Sequence, residues 1–270
     1  MKTRYLITAA ALAATASLAN AGEQQGGLTI ADFNSEATFS DADQISWTVD
    51  GVENLFTQSF FYRTAGMNDE ANISSLDLQG TSLSDTNPFS DDRDDTIVQL
   101  WSDGVIEVET TFGLAGGTQG SRRAGLAEQI DITNTGTSAI TLSFFQYVDF
   151  DLGDSTTDSG EITDGNTATQ WDEDGTVFLS ETVATPAPDS FQMSNFPMIA
   201  DLFGNGVVDN LDGTSDSLSE ADVTWAFQWD ITLGAGQTFL ISKNKTIAPA
   251  PGSMALLALG GFAASRRRRA

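Results

Sequence analysis

Read two residues at a time, much of this chain alternates. In VTWAFQWDITL, Val223, Trp225, Phe227, Trp229, Ile231 and Leu233 alternate with Thr224, Ala226, Gln228, Asp230 and Thr232. A period of two puts one apolar face on a β-strand. GAGQ comes next as a turn, and residues 238–242 are expected to return as the hairpin partner. Similar runs fall at 45–49, 55–62, 96–101, 105–112, 128–133, 139–151 and 176–183, divided by Gly, Asn, Asp and Ser clusters such as SDG, TNTGTS and DEDG. The only helix expected is a short one at 197–203, and no long segment repeats at 3.6 residues. This pattern predicts an all-β antiparallel β-sandwich, jelly-roll-like, in a single domain. ATPAPDS, residues 184–190, is the one linker-like stretch, and the chain beyond it is too short for a second domain.

Composition narrows the chemistry. The 270 residues contain no His and no Cys. That removes Ser-His-Asp and Cys-His catalysis, His-ligated metals, disulfides and thiolate clusters. With 17 Phe and 5 Trp the chain is too aromatic for a disordered acidic tail. Two of the 12 bases lie in the first 21 residues and four in the last 22, so six bases face all 38 acids in residues 22–248. A body at a formal −32 repels phosphate backbones, which excludes nucleic acid, and it disfavours anionic lipid head groups.

The two ends read as addresses. Lys2 and Arg4 precede the apolar stretch YLITAAALAATASLA, and Ala19 and Ala21 place small residues where a signal peptidase reads, so cleavage is expected before Gly22. Residues 1–21 are thus a signal peptide. The C-terminus, residues 249–270, runs Pro249-Ala250-Pro251-Gly252, then MALLALGGFAAS from Met254, with Ser253 between, then Arg266, Arg267, Arg268 and Arg269. Twelve apolar residues rise about 18 Å as a helix, short of a hydrocarbon core of about 30 Å. The arginines can snorkel and stay at the cytoplasmic face, as a transient membrane stop requires.

That tail resembles the PEP-CTERM protein-sorting domain, over about 22 residues. Ala250 stands where the family usually has Glu, as in a subgroup with a PAPG start. The resemblance implies recognition by an exosortase-type transpeptidase at the inner membrane, removal of the tail, and delivery to the cell surface or extracellular polysaccharide matrix. It implies no activity for the body.

Within the body, carboxylates carry the candidate chemistry. In SFFQYVDFDLGDSTTD, Phe145, Tyr147, Asp149 and Asp151 share one strand face. Same-face neighbours lie roughly 6.5–7 Å apart, so the two carboxylates repel unless a cation lies between them or one holds a proton. Asp154 and Asp158 follow in the loop and are expected to close around the same ion, for which calcium, with six to eight hard oxygen ligands, is the natural candidate. DLFGNGVVDNLD partly follows a calcium-loop pattern, with Asp201, Asn205, Gly206, Asp209 and Asp212 at ligand positions but Phe203 where an oxygen belongs. Glu107 and Glu109 share a strand face at a spacing that any i, i+2 acidic pair meets. Arg122-Arg123 beside GGTQGS can grip an anionic sugar or simply sit in an acidic loop, and the tryptophans can be core or sugar platforms.

From sequence, then, the protein is expected to be an exported, non-enzymatic surface or matrix protein with no catalytic residue assigned. The alternatives are a calcium-dependent carbohydrate-binding module and a carboxylate-based polysaccharide hydrolase or lyase.

Overall fold

The computed structural model describes residues 27–89 and 91–250. The expected signal peptide, residues 1–21, and the expected sorting tail from Pro251 onward lie outside the described residues. In chain order the strands are β1 Leu28–Asp32, β2 Ser35–Ser40, β3 Asp43–Val49, β4 Val52–Glu53, β5 Thr57–Thr64, β6 Ala71–Asn72, β7 Asp77–Ser84, β8 Thr96–Ser102, β9 Ile106–Gly116, β10 Ala124–Asn134, β11 Ile140–Asp149, β12 Asp158–Thr163, β13 Thr167–Asp172, β14 Val177–Thr185, β15 Ser190–Asn195, β16 Ser217–Ala221, β17 Val223–Leu233 and β18 Thr238–Pro249. One sheet has the order β1-β2-β3-β5-β11-β17-β15, with β4 on β3 and β6 on β5. The other runs β16-β12-β13-β14-β18-β10-β9-β8-β7. All pairings are antiparallel, and the two nine-stranded sheets make a sandwich, as the alternation predicts.

The inward faces supply the core. Trp47, Phe60, Phe144, Val148, Trp225, Phe227 and Trp229 come from the first sheet, and Ile97, Val108, Phe112, Ile130, Leu179 and Ile241 from the second. Phe150 stacks on Trp225 with ring centroids 5.5 Å apart. The expected hairpin between residues 223–233 and 238–242 does not form. β17 pairs with β11 and β15, and β18 pairs with β10 and β14, so the GAGQ turn carries the chain from one sheet to the other. The reason is that both strands point their apolar faces into the same core from opposite sides. The turn at TNTGTS crosses likewise, and buried Asn134 ties the two crossings together: its Nδ2 donates to Ser138 O at 2.8 Å and Leu233 O at 3.0 Å, and its carbonyl accepts from Gly236 N at 2.8 Å.

The first sheet's outer face is covered too. Phe145, Tyr147 and Ala226 pack beneath residues 196–213 through Ile199 and Leu211. Phe203 stacks on Phe61 at 4.5 Å and meets Phe145 at 5.4 Å. The expected helix at 197–203 is one 3-10 turn, Ala200–Leu202. Arg63 clamps this flap to the sheet: it pairs with Glu70, donates to Asp209 O and to Asn210 Oδ1 at 2.9 Å, and lies 5.6 Å from the centre of the Phe145 ring. Pro249, the first residue of the expected sorting motif, is the last of β18 opposite Val177, and Ala250 N donates to Thr176 O.

Candidate functional site

Where β11 ends, three carboxylates converge at the edge of that flap. Asp149 closes β11, Asp151 follows it, and Asp222 directly precedes β17, whose Thr224 is the register partner of Asp149. One oxygen from each lies within 4.8 Å of the other two. Asp149 is only 3 % exposed, and its Oδ1 has no hydrogen-bond partner, while Oδ2 accepts from the Tyr147 hydroxyl at 3.2 Å. Backbone contacts hold the corner: Phe56 N donates to Asp149 O, Phe196 N to Asp222 O, Asp154 N to Asp151 O, and Asp222 N to Asn195 Oδ1.

Crowding sets the charge state. Burial, then the charges of Asp222 and Asp151, push Asp149 up to about 7. Burial, then Asp222, Asp154 and Glu53, push Asp151 up to about 6. Burial raises Asp222 as well. Three acids this close either share protons at neutral pH or hold a cation. A hard cation accepting six to eight oxygens fits the donor set, and the unpartnered Asp149 oxygen is available to it. Beside the carboxylates are two exposed rings. Phe56 is 58 % and Phe196 38 % exposed, with ring centroids 6.4 Å apart edge to face.

Of the four acids expected to close around an ion, Asp149 and Asp151 meet here. Asp154 neighbours Asp151 but lies outside the converging set. Asp158 turns inward: it is 1 % exposed, and its Oδ2 accepts from Gln170 Nε2 at 2.5 Å and from Leu152 N at 3.4 Å. Burial pushes it to about 8. Asp222, which completes the cluster, is absent from the expected set because its proximity comes from the β11–β17 pairing, 73 positions away in sequence. The nearest local hint is an acid set directly before the strongest strand pattern in the chain.

The calcium-loop pattern is used otherwise. Asn205 Nδ2 donates to Asp209 Oδ2 at 2.7 Å, Gly204 and Gly206 donate to Asp69, and Asp212 accepts from Thr214 N and Ser215 N. Phe203, the missing ligand position, plugs the flap into the sheet. Glu107 and Glu109 face outward on the second sheet, Glu109 opposite Asp131, and burial followed by those neighbours raises Glu109. Trp47, Trp101, Trp225 and Trp229 are core, whereas Trp171 is half-buried on the second sheet's outer face. Arg122 and Arg123 are exposed in the β9–β10 loop.

No protein-family model matches the chain, and no curated protein matches it in sequence. Solved structures do match in fold. A bacterial glucoamylase complexed with acarbose aligns at a TM-score of 0.55 and 9 % identity over 90 % of this chain, which spans 37 % of the glucoamylase's length. A putative aldose 1-epimerase from Escherichia coli K12 aligns at 0.50 and 11 % identity, over 83 % of this chain and 99 % of that one. A protein from Synechocystis sp. PCC 6803 aligns at 0.50 and 9 % identity, over 87 % and 99 %. At these identities the likeness is one of fold: a single all-β sandwich of two antiparallel sheets.

Proposed function

We propose that this is an exported surface or matrix protein whose sandwich binds carbohydrate at the Asp149–Asp151–Asp222 corner through a bound calcium ion. The observation that carries the reading is the pairing of three converging carboxylates with two exposed phenyl rings. A cation there gives hydroxyl pairs a partner, and apolar ring faces suit the C–H face of a sugar. The fold's likeness to a glucoamylase and a putative aldose 1-epimerase, both named for sugar chemistry, is in keeping with this. Delivery follows from the ends: the signal peptide exports the chain, and an exosortase-type transpeptidase removes the tail that begins at Pro249.

Retention of the full chain on immobilised polysaccharides, with calcium and with EDTA, tests the body's function. Retention should need calcium, fall at least tenfold in Asp149→Asn and Asp222→Asn, and weaken in Phe56→Ala and Phe196→Ala. Retention indifferent to EDTA and to both Asp changes sinks the metal reading. C-terminal sequencing of surface-located protein tests delivery, and an intact Arg266–Arg269 cluster overturns tail removal.

One observation favours a second reading. Asp149 and Asp151 are both pushed above the usual carboxylate range by burial and by neighbouring acids, so one can hold a proton beside an ionised partner, as a general acid and general base require. An enzyme of this kind releases reducing ends from a polysaccharide, and Asp149→Asn and Asp151→Asn each abolish that release. Release unaffected by either change removes the catalytic reading.

A further inference from the structure

The acidic body has six bases, and ion pairs take up four of them. Arg63 pairs with Glu70, Arg93 with Asp91 and Glu36, Lys243 with Glu128 and Glu181, and Lys245 with Glu128. Among the bases of the described residues, only the guanidinium groups of Arg122 and Arg123 have no ion-pair or hydrogen-bond partner. The Gly120 N–H holds the Asp50 carboxyl below its usual range, and the Arg122 charge lies near enough to help, yet its guanidinium forms no ion pair or hydrogen bond with it. The loop backbone fixes this placement. Asp50 Oδ1 accepts from Gly120 N at 2.6 Å and Oδ2 accepts from Arg122 N at 2.7 Å, and Arg122 sits at φ 53°, a left-handed conformation that a non-glycine residue adopts only when its surroundings hold it.

Arg122 lines a cavity of about 440 Å³ that opens between this loop, the turn from Val49 to Asn54 and the turn from Asp172 to Val177. Its volume is within the range of small-ligand sites, roughly 300–1,000 Å³. Val49, Val52 and Val177 give it an apolar strip. Two of its three acids are occupied by their own turns: Asp50 by Gly120, Arg122 and Gln119, and Asp172 by Thr176 and Val177, whose N–H groups it accepts at 2.6 and 2.8 Å. Asp174 lines the same cavity with no hydrogen bond of its own turn to occupy it.

We propose that this cavity binds a sugar bearing a carboxylate, with the Arg122 guanidinium taking the carboxylate, the valine strip lying under the ring and Asp174 accepting from a hydroxyl. A planar guanidinium with two parallel donors matches a carboxylate in a way a lysine does not. The site is separate from the carboxylate corner and needs no metal. The sugar half of the ligand rests on the carbohydrate reading above, and the anionic half rests on the cavity alone.

The test is calorimetric titration of the full chain in EDTA with digalacturonate, its methyl ester and glycolate. EDTA silences a calcium site, so failure of the metal reading leaves this result untouched. Digalacturonate should bind, lose at least tenfold in affinity in Arg122→Gln, and stay within twofold of the unaltered chain in Arg123→Gln, since Arg123 does not line the cavity. Three results overturn the proposal: affinity in Arg122→Gln within twofold of the unaltered chain, equal affinity for the methyl ester, or equal affinity for glycolate, which would make the cavity a reader of bare carboxylates.

Discussion

Lys243 and Lys245 point into the sandwich between Ile241 and Ile247, at positions where the alternation calls for apolar residues, and both are about 1 % exposed. Two facing glutamates allow this. Lys243 Nζ lies 2.5 Å from Glu128 and 3.1 Å from Glu181, and Lys245 lies 2.5 Å from Glu128. Gln146 donates to Glu181 at 2.7 Å, Trp225 Nε1 to Glu181 at 3.2 Å, and Gln58 to Glu128 at 3.2 Å. Burial alone would raise Glu128, but Lys243 and Lys245 outweigh it and hold the carboxylate below its usual range. Two charges of each sign therefore sit balanced in the core. Lys243→Met should cost about 3–5 kcal/mol, because it strands carboxylate charge in a dry interior. Urea unfolding of the variant checks this, and a loss below about 1 kcal/mol would mean that water reaches the network. Gly116 is constrained by space instead. A Cβ there would lie 1.9 Å from Asp32 O, where Gly116 N already donates to the Asp32 carboxylate, so Gly116→Ala must push β1 off β9. Its cost, about 1–3 kcal/mol or more, should appear in the same unfolding measurement.

At the scale of elements, the flap over residues 196–213 is the part whose stability is separable. It has no sheet of its own and is held by Phe203 on Phe61 and Phe145 and by the Arg63 clamp. Phe203→Ala should raise hydrogen exchange in the flap while leaving β9 and β10 protected, with a loss of about 2–4 kcal/mol confined to local opening of the flap. Uniform loss of protection would show the flap and sandwich to be one cooperative unit. The same scale shows how far the fold was legible in the sequence. Every expected strand exists, most plainly where apolar residues recur at period two, as from Val223 to Leu233. β12 and β13 carry no such signal, since their inward faces are Asp158, Gly160 and Ile162, and Ala168, Gln170 and Asp172. Their core is half polar, and the hydrogen bond from Gln170 to Asp158 exists only in the fold. The GAGQ turn misled for a related reason: a short Gly-rich turn between two apolar strands reads alike whether the strands pair or face each other across a core. The carboxylate corner was half legible, as Asp149 and Asp151 are local while Asp222 arrives through the sheet.

Across the whole molecule, charge governs how stability responds to solution. Asp149 at about 7, Asp151 at about 6 and Asp158 at about 8 all bind their protons more tightly in the folded chain than in the unfolded one, where a carboxyl titrates near about 4. From about pH 4 to pH 8 the folded state thus holds more protons, so stability is greatest at the acid end and declines as pH rises through those values. Self-repulsion among 38 acids and six bases in the body acts in the same direction. Below about pH 4 the sign turns, as Glu128, held low by its lysines, begins to take up a proton and its ion pairs weaken. A melt in EDTA should therefore fall steadily from pH 5 to pH 8. On the proposed reading calcium binds the ionised corner, so it should raise the melting temperature at pH 8 and have little effect at pH 5, where protons already neutralise Asp149. At 100-fold excess over its dissociation constant the stabilisation is about 2.7 kcal/mol. Asp149→Asn should make the slope in EDTA shallower, leaving the share of Asp151 and Asp158, and abolish the calcium effect. Magnesium and sodium chloride at matched ionic strength separate this from screening. If all three salts raise the melt equally, the acidic surface is responding as a diffuse charge, and the corner is a proton store with no ion of its own.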